Sequence, residues 1–301
     1  MPPQMQPLTK APADKPPHIN RGFTGSRFIA FCAISVALVS LIIGALSPVS
    51  ANNQNEGCFD QRRFCFEVVP SQGQPLPFQV QVKRQVALPV ALTLYSDALY
   101  RQSSSAQKPA PIAHANAYLD SNDTVVLGLV DNPRTFWRSM RVKWTVGVLN
   151  AKHNDDTIYA PPLQPLDQYR IVQGFNGGFS HRGRSRYALD FAAPVGTPIL
   201  AARSGIVIDT KDDGKKGGAS SRFAKYANFV VILHDDGTTG EYYHLKYKGV
   251  AVTRGQTVQQ GQLIGYTGNT GFSSLPHLHF GIYYAQYHGG YQSVPFKLSD
   301  Q

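Results

Sequence analysis

The amino-acid sequence predicts a mainly β protein, with an N-terminal β-sandwich-like module followed by a second β-rich domain. In several short stretches apolar and polar residues alternate, as at Phe78, Val80 and Val82. A period of two places one set of side chains on each face of a strand. Clusters of Pro, Ser, Asn and Gly separate the stretches, and no helical periodicity is sustained between residues 58 and 148. Dense turns between short strands are typical of a small β-sandwich.

Length and charge limit the classes of function. The 301 residues suffice for two ordinary domains and an appendage, and a hydrophobic content of 42% allows a folded core. The formal net charge of +10 could serve nucleic acid, an anionic membrane or an acidic polymer. The sequence shows no compact run of Lys and Arg and neither a helix-turn-helix nor an RNP pattern. We therefore do not expect nucleic acid as a partner.

The N-terminus has the pattern of an export signal. Residues 28–46 form a stretch of 19 residues without a charge, which as a helix measures roughly 28 Å, close to the thickness of a bilayer core. Basic residues precede the stretch and none follows until Arg62, so the N-terminus is expected in the cytoplasm. Residues 48–51 resemble a signal-peptidase site. Residues 1–51 are thus interpreted as a cytoplasmic tail plus a signal peptide or an uncleaved membrane anchor. Either alternative exports the remainder to the periplasm or to the outer face of the cytoplasmic membrane.

Two of the three cysteines, Cys58 and Cys65, lie just beyond this segment, on the exported side where disulfides persist. We expect a bridge between them, which would close a short loop and contribute about 2–3 kcal/mol in the chain-entropy model. Their spacing fits neither a zinc ribbon nor a redox motif. The third, Cys32, belongs to the apolar stretch.

Composition divides the exported part into three. Residues 52–150 are predicted to form the sandwich-like module, in which no catalytic constellation is visible. Residues 151–168 contain Pro161, Pro162 and Pro165 and are interpreted as a linker. Glycine and β patterning return across 169–301, the predicted second domain. Its stretch 211–225 is rich in Gly, Ser and Lys and is expected to form a hairpin loop.

The second domain contains the residues with catalytic potential. His277 and His279 flank Leu278 in a strand-like run, so both imidazoles should point to one face while Leu278 faces the core. Two histidines placed in this way can both approach a metal, or one can bind the metal while the other reaches its water. His181, Asp190 and His244 occur in separate conspicuous segments upstream.

Four blocks of the sequence carry a resemblance to a known family. They are His181 with Asp190, Gly196-Thr197-Pro198 through Val207, Tyr243-His244-Leu245, and Gly268-Asn269-Thr270-Gly271 through Phe280. In this order, over about residues 169–284, they resemble the lysostaphin-like (LytM-type) zinc metallopeptidases, which cut the peptide part of bacterial peptidoglycan. The resemblance implies a duplicated hybrid motif β-domain and a Zn²⁺ ion bound by His181, Asp190 and His279. It also implies that His244 and His277 are the catalytic pair and that peptidoglycan is the substrate.

One interval departs from the family pattern. The short form of that pattern separates the first histidine from the aspartate by four residues, whereas His181 and Asp190 are nine apart. We interpret residues 182–186 as an insertion that bulges out before the strand that carries Asp190. Everything after Asp190 realigns without a gap.

The chemistry of these residue types agrees with the resemblance and narrows the alternatives. Two imidazoles and one carboxylate leave a fourth position on zinc for water, and a further histidine can accept the proton of that water. The roles of His244 and His277 within the pair stay open. The sequence lacks the His-Glu-x-x-His pattern of thermolysin-type enzymes and the downstream Glu and His of a cupin.

Two other readings of the second domain remain. A non-catalytic or partner-regulated activator of cell-wall hydrolases should lack a ligand or a catalytic residue, and none is missing here. A lipoyl-type carrier needs a modifiable lysine at a hairpin tip, which the sequence does not offer, and would not account for His277 and His279.

Overall fold

Residues 55–71, 76–101 and 110–299 are described by the computed structural model on which the following account is based. The predicted export segment, including residues 28–46 and 48–51, lies outside the described residues. Among those that are described, no helix has the length and apolar character needed to cross a bilayer.

The N-terminal module consists of two antiparallel sheets and one short helix. Its elements are β1 (Glu56–Phe59), β2 (Phe64–Pro70), β3 (Phe78–Arg84), β4 (Val90–Tyr95), β5 (Tyr100–Arg101), β6 (Ala110–Pro111), β7 (His114–Leu119), β8 (Val125–Val130), α1 (Pro133–Ser139) and β9 (Arg141–Val146). One sheet has the order β1-β2-β3-β8-β5-β6 and the other the order β7-β4-β9. Their apolar faces share one core, to which Phe66 and Val80 contribute from the first sheet and Leu92 and Ala117 from the second. This is the predicted sandwich-like arrangement.

Helix α1 was not predicted from the sequence, in which no helical periodicity is sustained in this region. The Asn132 side chain accepts hydrogen bonds from the backbone N–H groups of Arg134 and Thr135, and Pro133 follows directly. An Asn cap followed by Pro is a helix-start signal. Because the helix has only seven residues, it is too short to show a recognisable period of 3.6.

The predicted disulfide is confirmed. Cys58 and Cys65 are bonded and pair directly across the β1–β2 hairpin. The bridge therefore ties together the two strands at the end of the first sheet.

The second domain is built on one large antiparallel sheet with smaller sheets beside it. Its strands are β10 (Ile158–Tyr159), β11 (Ile171–Gln173), β12 (Ala188–Ala192), β13 (Pro198–Leu200), β14 (Gly205–Lys211), β15 (Gly217–Gly218), β16 (Phe229–Leu233), β17 (Thr239–Tyr243), β18 (Leu245–Val250), β19 (Thr257–Val258), β20 (Leu263–Thr267), β21 (Gly271–Phe272), β22 (His277–Gln286), β23 (Gly290–Val294) and β24 (Lys297–Leu298). The order of the large sheet is β11-β12-β22-β17-β16-β14-β19, and β23 also pairs with β22. Three-residue to six-residue 3₁₀ helices cover Leu166–Gln168, Gly183–Ser185 and Ser221–Tyr226.

One face of the large sheet carries core side chains and the other carries polar side chains. Tyr242, Leu278 and Phe280 belong to the hydrophobic core of the domain. Alternation along the same strands places Glu241, Tyr243 and His279 on the opposite face. The mainly β fold class is confirmed. Packing of the core face fixes the positions of the strands, and thereby of the polar side chains on the other face.

The two inserted segments adopt local structure. The 3₁₀ helix Gly183–Ser185 lies between His181 and Asp190, so the extra residues of the nine-residue interval form a turn outside the sheet. The stretch 211–225 connects the antiparallel strands β14 and β16 and contains β15 and most of a 3₁₀ helix.

The module and the second domain contact one another directly. Residues Ala51–Gln301 form one compact unit. Arg254 Nη1 lies 3.1 Å from Asp60 Oδ1, and Arg63 Nη2 donates a hydrogen bond of 2.9 Å to the Ile208 carbonyl. Val146 of the module packs with Ile208 and Val231 of the second domain.

Candidate active site

Strand register brings the candidate ligands together. Asp190 on β12 is the direct neighbour of His279 on β22, and His279 is in turn the neighbour of Tyr243 on β17. Directly opposed residues on one face of a sheet have Cβ atoms roughly 5 Å apart, so their side chains meet. Leu278 is fully buried in the core while His277 and His279 lie on the other face. The sequence prediction for this strand is therefore confirmed.

His181 completes a compact triangle. His181 Nε2 lies 3.0 Å from Asp190 Oδ1 and 3.2 Å from His279 Nδ1, and His279 Nδ1 lies 2.8 Å from Asp190 Oδ1. All three side chains are buried. Although His181 is nine residues from Asp190 in the chain, the turn formed by the insertion returns it to the sheet.

The geometry and the donor atoms of this triangle fit a metal ion. Ligand atoms about 2.0–2.2 Å from a tetrahedral zinc ion lie roughly 3.3 Å from one another, close to the separations of 2.8 to 3.2 Å found here. Among the described residues, Glu56, Cys58 and Cys65 also bring three possible ligand atoms close together. The two sulfurs are joined in the disulfide, however, and are not available as thiolate ligands. The triangle of His181, Asp190 and His279 is therefore the candidate metal centre.

Neighbouring groups orient each candidate ligand. The Gly174 carbonyl lies 2.9 Å from His181 Nδ1, and the Tyr283 hydroxyl lies 3.1 Å from His279 Nε2. Gln173 Nε2 donates to Asp190 Oδ2 at 2.9 Å. These contacts occupy the atom of each side chain that points away from the triangle. The remaining atoms, His181 Nε2, His279 Nδ1 and Asp190 Oδ1, are directed at one point. In metal sites, outer partners of this kind set the orientation of the ligands.

Charge within the triangle favours an ionised aspartate. Burial by itself raises the pKa of Asp190, but hydrogen bonds from His181 and His279, with the electrostatic effect of His279 and His277, outweigh it and leave the pKa well below its usual value. The carboxyl group is therefore a carboxylate at neutral pH, the form that binds a metal.

His244 and His277 lie beside the triangle with their rings 4.6 Å apart. His244 Nδ1 is 2.7 Å from the Thr270 carbonyl, and His277 Nδ1 is 2.8 Å from the Leu275 carbonyl. A carbonyl oxygen only accepts, so both Nδ1 atoms carry the hydrogen and both Nε2 atoms keep a lone pair. His277 Nε2 lies 3.8 Å from Asp190 Oδ1, which places that lone pair next to the metal centre.

Burial holds both of these rings neutral. It lowers the pKa of His244 to about 3, with further lowering by His277 and His279. Burial is also the largest influence on His277, whose pKa is lowered despite the nearby Asp190 carboxylate. A neutral imidazole with an exposed lone pair is the form required of a base.

The backbone at His244 is held in an unusual conformation. His244 has a φ of 70°, in the left-handed region that non-glycine residues adopt rarely. The following carbonyl, that of Leu245, accepts from Thr270 Oγ1 at 2.7 Å and from Asn228 Nδ2 at 3.2 Å. These buried bonds fix the backbone between β17 and β18, on the C-terminal side of His244.

Two cavities flank the triangle. The smaller, of about 150 Å³, is lined by Gln173, Asp190 and His277 among others. The larger, of about 590 Å³, is lined by Glu241, His279 and other residues. Phe179 and Phe272 line both cavities, and their rings lie 5.2 Å apart. The site is therefore a groove with an aromatic contact between its two halves.

Several contributing residues were not recognised from the sequence. Gln173 and Thr270 act through several hydrogen bonds to residues distant in the sequence, which leave no local pattern. Tyr283 lies four residues after His279, hence on the same face of β22, so its spacing could have identified it. Glu241 stands on the polar face of β17 but has no motif around it.

Three other histidines of the described residues have partners away from the triangle. His234 is buried, with Nδ1 2.9 Å from the Ser204 carbonyl. His153 interacts with Asp155, and His288 Nδ1 lies 2.7 Å from the Tyr95 hydroxyl.

Comparison with known proteins is consistent with this geometry. The family model of peptidase family M23 matches residues 184–292. Three curated relatives match part of the chain. Peptidoglycan DD-endopeptidase ShyA of Vibrio cholerae is 34% identical over 43% of this chain and 28% of its own length. DD-carboxypeptidase/endopeptidase Mpg of Neisseria meningitidis is 38% identical over 39% of this chain and 25% of its own. Lysostaphin of Staphylococcus staphylolyticus is 35% identical over 36% of this chain and 19% of its own.

These matches concern one part of each protein. They span less than a third of the length of each relative. The family match begins at Arg184 and so includes Asp190, His244, His277 and His279. Residues 184–292 thus match peptidase family M23, in agreement with the resemblance to lysostaphin-like peptidases seen in the sequence.

Proposed function

We propose that this chain is an exported, zinc-dependent endopeptidase that hydrolyses peptide bonds in the stem peptides or cross-links of bacterial peptidoglycan. The observation that carries the proposal is the buried triangle of His181, Asp190 and His279, with two neutral imidazoles beside it. The names of the relatives add support, because ShyA and Mpg are described as endopeptidases and ShyA as acting on peptidoglycan.

In this proposal His181, Asp190 and His279 bind the metal. A zinc ion held by these side chains supplies a Lewis acid that polarises the scissile carbonyl and lowers the pKa of a water molecule toward 7. Gln173 and Tyr283 keep the ligands oriented through the outer atoms of Asp190 and His279. The sheet register keeps Asp190 and His279 side by side.

His244 and His277 handle the proton. Both present an Nε2 lone pair toward the groove, so either can accept a proton from the attacking water. The position of His277 Nε2 next to Asp190 favours His277 as this base. The resulting imidazolium can then protonate the leaving amine, so the proton taken from water ends on the product.

The organisation of the chain follows from the same proposal. Residues 1–51 would export the chain to the periplasm or retain it at the outer face of the membrane. The module 52–150 would position the domain at 169–301, with 151–168 as the connection between them. A disulfide in the module is consistent with an oxidising compartment.

One experiment tests both metal and activity. Full-length protein is purified, its zinc content is measured, and the muropeptides that it releases from purified peptidoglycan are separated by chromatography. We expect one zinc per chain and cleavage, both lost in His279→Ala and both retained in His114→Ala, which removes an exposed histidine of the module. Zinc without cleavage would favour the partner-regulated activator, and absence of zinc from intact protein would refute the proposal.

A further inference from the structure

A buried carboxyl group without a cationic partner lies next to the candidate metal centre. Glu241 is only 3% exposed, and no Lys, Arg or His nitrogen of the described residues lies within ion-pair distance of it. Tyr243 and Thr239 donate hydrogen bonds to it, the latter at 3.5 Å. An unpaired buried carboxyl is unfavourable for folding, so its presence here calls for a functional reason.

Glu241 belongs to the same face as the active-site residues. It lies two positions before Tyr243, which is the register partner of His279. Two residues of a strand span roughly 6.6 Å, about the advance of two residues in an extended peptide. A substrate peptide that lies along this face with its scissile bond at His279 would therefore place a neighbouring side chain over Glu241.

The cavity above Glu241 has room for such a side chain. Its volume of about 590 Å³ is bounded by His279 and by the aromatic rings of Tyr243, Tyr283 and Tyr291. These rings offer apolar walls for a chain of methylene groups. The hydroxyl groups of Tyr283 and Tyr291 already bond to His279 Nε2 and to the Val146 carbonyl, which leaves Glu241 as the buried ionisable carboxyl group of the cavity.

We propose that Glu241 is a specificity-determining residue that binds the primary amino group at the end of a substrate side chain next to the scissile bond. This inference rests on the proposed endopeptidase function, since it assigns one feature of the same substrate. A flexible aliphatic side chain that ends in an ammonium group matches a pocket with apolar walls and an acidic floor. Arg184 also lines the cavity, but it is exposed to solvent, where water and salt screen its charge.

The electrostatic state of the empty pocket agrees with this assignment. Burial raises the pKa of Glu241 to about 8, since the hydrogen bonds from Tyr243 and Thr239 compensate only in part. An ammonium group beside the carboxyl would favour the ionised form. The pocket thus favours an ammonium end group, because a cation compensates the charge that Glu241 acquires when it ionises, which a neutral end group cannot do.

Direct binding tests the inference without any need for cleavage. The probes are N-acetyl-lysine amide, which has a free terminal amine, and N-acetyl-norleucine amide, which lacks it. We expect zinc-loaded wild-type protein to bind the lysine probe at least about tenfold more tightly, as measured by NMR titration. Glu241→Gln should reduce that ratio to near one, while Glu56→Gln, which alters an exposed carboxyl of the module, should leave it unchanged. Equal binding of the two probes by wild-type protein would overturn the inference.

Cleavage assays then separate this inference from the function on which it rests. Muropeptides are offered with free amines or after acetylation of those amines. Wild-type protein should cleave the free form about tenfold faster or more, and Glu241→Gln should cleave both forms at similar rates. If neither form is cleaved while the lysine probe still binds through Glu241, the proposed function fails and the amine site stands. If both are cleaved equally well by wild-type protein, the amine site is refuted and the endopeptidase function stands.

Discussion

His181 Nε2 and His279 Nδ1 lie 3.2 Å apart, although 98 residues separate them in the chain. Both atoms also lie within 3.0 Å of Asp190 Oδ1. Each neutral imidazole has one hydrogen that it could donate to Asp190 Oδ1. The second nitrogen of each ring, however, already faces another group, the Gly174 carbonyl for His181 and the Tyr283 hydroxyl for His279. A cation at the centre of the triangle would bind all three inner atoms at once, which is why the pair of nitrogens is the strongest indication of a metal.

Loss of the carboxylate should therefore empty the centre. In Asp190→Asn the amide oxygen is uncharged, and we expect zinc affinity to fall by at least about tenfold because an anionic ligand is lost. Competition with a chromogenic chelator measures the affinity. Asp213→Asn, which changes an exposed side chain, should bind zinc as the wild type does. Equal affinity in Asp190→Asn and wild type would contradict the assignment of Asp190 as a ligand.

Tyr283 should act on the metal through His279. In Tyr283→Phe the hydroxyl near His279 Nε2 is lost, and outer partners of this kind typically account for a 10-fold to 100-fold difference in metal affinity or activity. Tyr284→Phe changes the next residue, which points to the other face of β22, and serves as the matched control. Chelator competition and muropeptide release are measured for both variants. A Tyr283→Phe protein indistinguishable from the Tyr284→Phe protein would show that the hydroxyl does not tune the ligand.

The buried carboxyl of Glu241 should make stability depend on pH. Its pKa is raised from 4.5 to about 8 in the folded chain, so between these values the folded state retains a proton that the unfolded state has lost. Rising pH then lowers the free energy of unfolding by about 1.4 kcal/mol per unit through this group, and the loss is complete above pH 8. Glu241→Gln lacks this dependence. The free energy of unfolding of the variant minus that of the wild type should therefore be larger at pH 9 than at pH 5.

Urea unfolding at several pH values, with zinc present throughout, measures this difference. Glu56→Gln, at an exposed position, should follow the wild-type profile. A constant difference between wild type and Glu241→Gln from pH 5 to pH 9 would mean that Glu241 ionises as readily in the folded chain as in the unfolded one.

The disulfide should stabilise the module without influencing the metal centre. Replacement of Cys58 and Cys65 together by Ala removes a bridge that closes a short loop, and we expect the free energy of unfolding to fall by about 2–3 kcal/mol. The bridge belongs to the β1–β2 hairpin, which contributes no residue to the triangle. Zinc stoichiometry should stay the same while the urea midpoint decreases. Loss of zinc in this variant would show that the module supports the centre more closely than its contacts suggest.

The sequence alone determined the features that depend on local pattern. The alternation around Leu278 predicted that His277 and His279 share one face, since the period of a strand is two wherever the strand lies. The same argument predicted the mainly β fold, and the compartment expected from the N-terminus predicted the bridge between Cys58 and Cys65. The short helix α1 was missed because seven residues do not establish a helical period.

Only the tertiary structure decided which distant residues meet. The register of β12 against β22 sets Asp190 beside His279, and the turn at Gly183–Ser185 returns His181 to them across the nine-residue interval. Neither the hydrogen bond from Gln173 to Asp190 nor the burial of Glu241 follows from neighbouring residues in the sequence. Such features arise from packing between strands far apart in the chain, and this packing determines how deeply a polar side chain is buried and which partners it finds.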